Sequence, residues 1–257
     1  MRKLLLPLLV LLALPLAADW KRIARGVDYE HRVGGGWDVH ITRIHLRERS
    51  LRVIATDEAS HGATVSDFAK KVHAIVAING DYFDEALLPV GMAMSACGVW
   101  SAGDPKLKRH QGLVGLGKRR AEIQERTMTR RKWMTGAVSG WPLLVRDCQP
   151  VRDLPGSDSF TRSPHPRTAA GLSKDGRILY LVVADGRAES VGGPTLPELG
   201  AFMHDLGACT AINLDGGGSS AMWLEDRIVN RPSDGTERKV GNHLAVVSAR
   251  DVPDCRP

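Results

Sequence analysis

The sequence lacks the short motifs that mark several common hydrolases. None of its nine histidines belongs to an H-E-x-x-H pair, which disfavours a zincin-type metalloprotease. No serine lies in a G-x-S-x-G elbow, which disfavours an α/β-hydrolase nucleophile. The four cysteines include no C-x-x-C pair, so a zinc knuckle or a thioredoxin-type motif is also disfavoured.

Long apolar runs are missing beyond the N-terminus. Residues 1–3 carry two basic side chains, residues 4–16 are apolar apart from two prolines, and two alanines precede Asp19. This layout predicts a secretory signal peptide over residues 1–18 and an exported domain over 19–257, either periplasmic or secreted. The apolar run is shorter than the roughly 20 residues that a membrane span needs, so we expect no span after cleavage. An uncleaved anchor is the alternative.

Cysteines are few but even in number. Cys97, Cys148, Cys209 and Cys255 all follow the predicted cleavage site. Export would place them in an oxidising compartment, where an even count predicts disulfides. Three pairings are open.

The formal charge is +6, and much of the basic excess lies between residues 106 and 132. Only two tyrosines or phenylalanines, Tyr82 and Phe83, lie between residues 70 and 150, so stacking partners for bases are scarce. We therefore expect a solvated basic face and no nucleic-acid partner.

Alternating apolar residues and turn signals predict more strands than helices. Trp37–Leu46 and Leu51–Ala55 are predicted as paired strands, and Arg167–Leu172 with Arg177–Val183 as a hairpin. Capping boxes at Thr64 and Thr195 predict the two helices. Short turns between successive strands favour an α+β fold: a mixed, largely antiparallel sheet with a few helices packed against it, in a single domain.

The segment from Asn213 to Ser220 is the most unusual in the chain. A predicted buried strand, Cys209–Leu214, leads into Asp215, three glycines and two serines. Consecutive glycines let the backbone approach a ligand closely and turn its N–H groups toward an anion. Ser219 and Ser220 add hydroxyl donors, and Asp215 adds a carboxylate. A flexible hairpin is the structural alternative.

An earlier segment repeats part of this pattern. Asn79-Gly80-Asp81 follows a predicted buried strand, as Asn213-Leu214-Asp215 does, and in both cases asparagine precedes aspartate by two residues. We expect the two units to converge on one cleft, with coincidence as the alternative. Arg167 suits a phosphate or carboxylate, and Asp185 ends another predicted strand.

Together these residues resemble the phosphodiester glycosidase family, over roughly residues 70–250. The string Leu-Asp-Gly-Gly-Gly-Ser-Ser, in register with the preceding helix, is its most specific part. The other matching segments are Ala77–Phe83, Ser139–Leu144, Arg167-Thr168, Val183–Arg187, Gly193–Leu199, Leu206–Ala208, Asn230 and Asn242. Residues 86–135 match no pattern that we can state.

The resemblance implies hydrolysis of a sugar-1-phosphodiester at the C1–O bond, giving a free sugar and a phosphomonoester. It also implies a phosphate site and a carboxylate near C1. We assign the phosphate to Arg167 and the segment Gly216, Gly217, Gly218, Ser219 and Ser220. Asp215 is our first choice for the carboxylate and Asp185 the second. Asn79, Gly80, Asp81, Asn213 and Asn242 are expected to bind or orient the substrate.

The expected partner is a phosphodiester-linked sugar or envelope glycan, and no cofactor is expected. Two other classes stay open. One is a non-catalytic protein that binds envelope glycans through the same fold. The other is a serine- or metal-dependent esterase on the same scaffold, in which Asp215, Asp185 and asparagine side chains would hold calcium or magnesium.

Overall fold

The structure is a computed structural model that describes residues 19–104, 106, 112–126 and 128–253. Within these ranges the chain forms three β-sheets and three α-helices. The predicted signal peptide and Cys255 lie outside the described residues, so the structure does not test the predicted cleavage.

The largest sheet has eight strands, and each pair of neighbours in it is antiparallel. Its centre is the predicted hairpin, whose turn at residues 174–176 sets the register. In spatial order the strands are β1 (Lys21–Ala24), β2 (Val27–Gly34), β3 (Trp37–His45), β14 (Ile178–Ala184), β13 (Arg167–Ser173), β15 (Ala208–Asn213), β11 (Leu143–Arg146) and β12 (Gln149–Pro150).

Two five-stranded antiparallel sheets complete the β-structure. One runs in the order β7 (Gly98–Ala102), β6 (Met92–Ser95), β10 (Gly136–Gly140), β8 (Gly112–Gly117) and β9 (Arg120–Gln124). The other runs in the order β17 (Arg227–Ile228), β16 (Met222–Leu224), β5 (Val76–Asn79), β18 (His243–Ser248) and β4 (Leu51–Ala55).

The predicted pairing of the strand at 51–55 with the strand at 37–46 is wrong. β4 pairs with β18, and β3 pairs with β2 and β14. The two segments are close in sequence, but β4 alternates buried and half-buried residues that fit the third sheet. Proximity along the chain therefore does not decide strand pairing here.

Both predicted helices form. α1 (Val65–Lys71) is capped by Thr64, whose hydroxyl accepts from the Asp67 amide. α3 (Leu196–Asp205) begins with a complete capping box between Thr195 and Glu198. A third helix, α2 (Asp158–Thr161), is a single turn.

The three sheets share one core. Apolar side chains from all three meet in the largest buried cluster, which includes Ile44, Val53, Ile78, Val138, Leu181 and Ile212. α3 covers the opposite face of the eight-stranded sheet, and α1 covers the outer face of the β5 sheet. This layering confirms the predicted single α+β domain.

A disulfide joins Cys148, in the turn after β11, to Cys209 in β15, which settles one of the open pairings. Across the same two residues the Cys148 N–H donates to the Cys209 carbonyl at 2.8 Å. In the part of the chain that the structure describes, no helix is long and apolar enough to cross a membrane.

Candidate active site

The two repeated segments meet at the ends of β5 and β15. Asn79 Nδ2 donates to the Asp215 carbonyl at 2.7 Å, and the Asp215 N–H donates to the Gly80 carbonyl at 3.0 Å. The Asn79 Oδ1 atom accepts from the Thr168 hydroxyl at 2.8 Å, so β13 is joined as well. The predicted convergence is therefore a feature of the fold.

Asn242 holds the Asp81 side of this junction. Its Oδ1 atom accepts from the Asp81 N–H at 2.7 Å, and its carbonyl accepts from the Gly80 N–H at 2.9 Å. A Cβ on Gly80 would lie 2.3 Å from Asn242 Oδ1, so only glycine fits between the segments. Burial raises the pKa of Asp81 well above its usual range, although the Ser139 hydroxyl donates to its carboxyl at 2.9 Å.

Asn213 holds the other side. Its Nδ2 atom donates to the Tyr82 hydroxyl and, at 2.9 Å, to the Trp141 carbonyl. The Tyr82 hydroxyl in turn donates to the same carbonyl at 3.0 Å. These three residues form one polar network beside Asp215. Burial raises the pKa of Tyr82, and the negative charge of Asp215 adds to that rise.

Asp215 lies two residues beyond the end of β15, beside the start of β13. The register pairs Ala169 with Asn213, and beyond it the Leu214 N–H donates to the Thr168 carbonyl at 2.8 Å, which brings the chain at Asp215 and Gly216 close to the backbone of Arg167. Burial raises the pKa of Asp215 to about 6, while the Gly216 N–H, at 2.9 Å from Oδ1, opposes that rise. The buried Ser219 hydroxyl also opposes it from nearby, without a hydrogen bond of good geometry. Asp215 can therefore change its charge near neutral pH.

The glycine-serine segment is a single 3-10 turn, Gly217–Ser219. Gly217 has a left-handed φ of +61°, and a Cβ there would lie 3.1 Å from the Arg187 guanidinium. Four of the five N–H groups at 216–220 already donate within the protein: to Asp215 Oδ1 and to the carbonyls of Pro166, Gly216 and Gly217. The predicted cradle of backbone amides is therefore not formed, because the turn uses them itself.

Positive charge gathers beside this turn. Arg167 is 3% exposed, and its guanidinium donates to the carbonyls of Phe160, Ser163 and Pro194. Arg187 donates to His165 at 3.4 Å, and its charge adds to burial in lowering the pKa of Arg167 to about 10. Among the described residues neither arginine has an acidic partner within salt-bridge distance. An anionic ligand would compensate such charges.

Asp185 lies close to the site, but both of its carboxyl oxygens already accept hydrogen bonds from the protein. One carboxyl oxygen accepts from Asn230 Nδ2 at 2.9 Å, and the other accepts from the Arg231 N–H at 2.8 Å. Asn230 links Asp185 to the glycine-serine turn, because its Nδ2 atom also donates to the Ser220 carbonyl at 3.1 Å. Burial raises the pKa of Asp185 against these hydrogen bonds. The carboxyl thus anchors the segment that supports the glycine-serine turn.

Several buried polar atoms at the junction have no hydrogen-bond partner among the described residues. They are Asp81 Oδ1, Asn213 Oδ1 and Asn242 Nδ2. Buried polar atoms are normally satisfied. The Asn242 side chain also opposes the rise in the Asp81 pKa, so Asn242 Nδ2 and the Asp81 carboxyl partly satisfy each other across this junction.

Sequence reasoning missed four residues that the structure places here: Tyr82, Ser139, His165 and Arg187. Tyr82, Ser139 and Arg187 lie inside segments that carried the family resemblance, so the segments gave the available signal. Their side-chain chemistry alone did not show which way they face.

Two arginines without acidic partners among the described residues and the Asp215 carboxyl thus lie around one glycine-serine turn, an arrangement whose charges suit an anionic ligand. A family model for phosphodiester glycosidases matches residues 72–247. The chain belongs to the phosphodiester glycosidase family.

Similar proteins extend over most of the chain. The N-acetylglucosamine-1-phosphodiester alpha-N-acetylglucosaminidase of Bos taurus is 31% identical over 248 residues, which covers 84% of this chain and 46% of that protein. The enzyme of the same name from Mus musculus is 29% identical over 245 residues, covering 85% and 46%. The chain thus spans about half the length of these relatives.

Solved structures share the fold. A hypothetical protein from Synechocystis superposes with a TM-score of 0.69 at 17% identity, covering 86% of this chain and 62% of that one. The catalytic domain of zebrafish N-acetylglucosamine-1-phosphodiester alpha-N-acetylglucosaminidase superposes with a TM-score of 0.64 at 21% identity, covering 86% and 81%.

Proposed function

We propose that the protein hydrolyses a sugar-1-phosphodiester at the glycosidic C1–O bond, releasing a free sugar and a phosphomonoester. The grouping of Asp215, Arg167 and Arg187 around the glycine-serine turn, with neither arginine in a salt bridge among the described residues, carries this proposal. Membership of the family and the names of the curated relatives support the same bond type. We further propose that the chain is exported, because the Cys148–Cys209 disulfide suits an oxidising compartment.

The phosphate is the leaving group, and two arginines would bind it. Arg167 and Arg187 would bind its oxygens and stabilise the charge that grows as the C1–O bond breaks. A phosphate that is already ionised needs little help from a general acid. The backbone of the glycine-serine turn contributes shape here, with the Gly218 N–H as the one amide of the five with no acceptor among the described residues.

Asp215 would act at the sugar carbon. In its ionised form it faces the positive charge that develops at C1, and it can take a proton from the attacking water. The water oxygen bonds to C1, the C1–O electron pair goes to the phosphate oxygen, and the proton leaves through Asp215. Asn79, Asp81, Asn213 and Asn242 would position the sugar hydroxyls or the Asp215 backbone.

Hydrolysis of N-acetylglucosamine-1-phosphodiesters in 18O-labelled water tests the bond that breaks. We expect turnover with a phosphomonoester that carries no label, because water adds to C1. Label in the phosphomonoester would mean cleavage at phosphorus and would overturn the proposal. The rate should fall as pH drops through about 6, where Asp215 gains its proton.

Four comparisons separate the rival functions. Asp215→Asn should lose most of the activity, and an unchanged rate would refute the role of Asp215. Loss in Ser219→Ala with retention in Arg167→Ala would favour a serine esterase. Loss on treatment with EDTA, restored by calcium or magnesium, would favour the metal-dependent esterase. Binding of phosphodiester glycans without any turnover would indicate the non-catalytic glycan-binding protein.

A further inference from the structure

The first hairpin carries a cluster that the proposed hydrolysis does not use. β2 and β3 pair so that His31 lies directly opposite His40, and Asp38 precedes His40 by two residues on the same strand. Residues two apart on a strand share a face, and directly paired residues share it too. His31, Asp38 and His40 therefore project from one face of the hairpin.

Their ligand atoms converge. His31 Nε2 lies 2.6 Å from Asp38 Oδ1, and His40 Nε2 lies 3.4 Å from the same oxygen. One ligand atom from each residue falls within 4.8 Å of the other two. The two imidazole rings stack with centroids 4.3 Å apart. A small movement of the exposed His31 side chain would let all three atoms share one ion.

His40 is built as a metal ligand would be. It is 3% exposed, and its Nδ1 atom is hydrogen-bonded to the Tyr29 hydroxyl at 2.7 Å. A partner on one ring nitrogen fixes the orientation of the imidazole and leaves the other nitrogen for the metal. Here that other nitrogen is the one directed at Asp38 and His31.

We propose that His31, Asp38 and His40 bind a divalent first-row transition ion such as zinc. Two imidazole nitrogens and one carboxylate oxygen suit zinc, cobalt, nickel or copper, whereas calcium and magnesium prefer oxygen ligands. Three protein ligands leave a coordination position for water or another molecule.

The site is separate from Asp215 but joined to the same sheet edge. The Asp38 carbonyl accepts the Asp185 N–H at 2.8 Å, and Val39 pairs with Ala184. An ion held by Asp38 would therefore brace the strand end from which Asp185 anchors the segment below the glycine-serine turn.

Zinc titration of the metal-free, untagged full chain tests the site by calorimetry, with cobalt binding followed by its visible absorption. We expect one zinc ion per chain. Tyr29→Phe should weaken zinc binding about 10-fold, the low end for loss of a residue that orients a metal-ligating histidine. His31→Ala removes a ligand from an exposed position and should weaken binding more than Tyr29→Phe does.

His45→Ala is the matched control. His45 lies on β3, as Asp38 and His40 do, and its side chain is about as exposed as that of His31. It contacts Asp28 at 3.2 Å, but Arg22 and Arg43 also bind that aspartate. Zinc binding should survive in this variant. No zinc binding by the wild-type chain, wild-type affinity in His31→Ala, or equal losses in His31→Ala and His45→Ala would each overturn the proposal.

Discussion

Asp215 is held where its charged form is disfavoured, although the proposed chemistry needs that form. Burial raises its pKa from an ordinary value of 3.8 to about 6, so the folded protein binds its proton more tightly than the unfolded chain does. The free energy of unfolding therefore decreases as pH rises from about 4 to about 6, and it stays lower above that window.

Asp215→Asn should stabilise the protein at pH 7 and above. The variant no longer has to bury a carboxylate, and a shift of this size corresponds to at most about 3 kcal/mol. The amide oxygen of asparagine can still accept from the Gly216 N–H. Urea unfolding at pH 7.5 and at pH 3.5 measures the effect, which should be close to zero at the lower pH because the wild-type carboxyl is then protonated in the folded state and mostly protonated in the unfolded state.

Asp175→Asn provides the control for that comparison. Asp175 is exposed, and hydrogen bonds from the Ser173 hydroxyl and the Arg177 N–H lower its pKa. Its replacement should give no stabilisation at pH 7.5. A gain in both variants would trace the effect to net charge, and no gain in Asp215→Asn would contradict the raised pKa.

For single residues, the sequence predicts which side chains lie at the site better than it predicts the contacts that those side chains make. Asp215 could be predicted because it follows a strand and precedes three glycines. Arg167 could be predicted because it follows a proline-containing loop and begins a strand. Arg187 was missed, although it ends a matching segment, because nothing local shows that its guanidinium lies against Gly217. Whether a carboxyl such as Asp185 is free depends on residues 45 positions away, which a local pattern does not reveal.

Elements meet at the site through their ends, and Asp185 is the link from β14 to the segment after β17. Its two oxygens accept from Asn230 and Arg231, and Asn230 supports the Ser220 carbonyl. This arrangement favours a positioning role over the catalytic role that the sequence suggested.

Asp185→Asn should lower kcat and thermal stability while leaving the acid limb of the pH–rate profile in place. One oxygen acceptor is lost, so an N–H group of the Asn230–Arg231 pair is left unsatisfied at a cost of about 1–3 kcal/mol. A pH–rate profile and a thermal melt measure the two effects. Asn230→Ala should reproduce both, because it breaks the same link from the other side.

A different profile would assign Asp185 to the chemistry. If Asp185→Asn removed a limb of the pH–rate profile while Asn230→Ala left the profile intact, the carboxyl would act directly on the substrate. Equal thermal stability in wild type and Asp185→Asn would also contradict the anchoring role.

Elements with local signals could be predicted, and their partners could not. Thr64 and Thr195 predict the starts of two helices, because each caps its helix through a residue only three positions away. The strand at 51–55 also has a clear local pattern, yet it pairs with residues 244–248. Strand pairing depends on which apolar faces meet across the whole fold, so local periodicity gave the element without its neighbour.

The molecule as a whole is a layered structure in which one core serves three sheets. The site lies where strands of two of these sheets end, so its geometry depends on the packing between them. Sequence could indicate the class of fold from the number of strands and short turns. It could not indicate that three sheets share the core, because that arrangement arises from contacts between distant segments.

The Cys148–Cys209 disulfide ties β11 to β15, the strand that leads to Asp215. It joins residues separated by 61 positions, and such a cross-link restricts the unfolded chain. The loop-closure estimate for this length is about 4 kcal/mol. The double variant Cys148→Ser/Cys209→Ser should therefore unfold at a lower urea concentration, with a loss of free energy up to that value.

Peptide mapping under non-reducing conditions should first establish that the bond is present in the purified protein. The native β11–β15 pairing remains in the double variant, so we expect a folded but less stable chain whose activity is retained at low temperature. Equal unfolding midpoints would show that the bond adds nothing to stability. A wild-type chain made in a reducing cytoplasm should be at least as unstable as the double variant, because Cys97 is also disulfide-bonded, and oxidation should restore its stability.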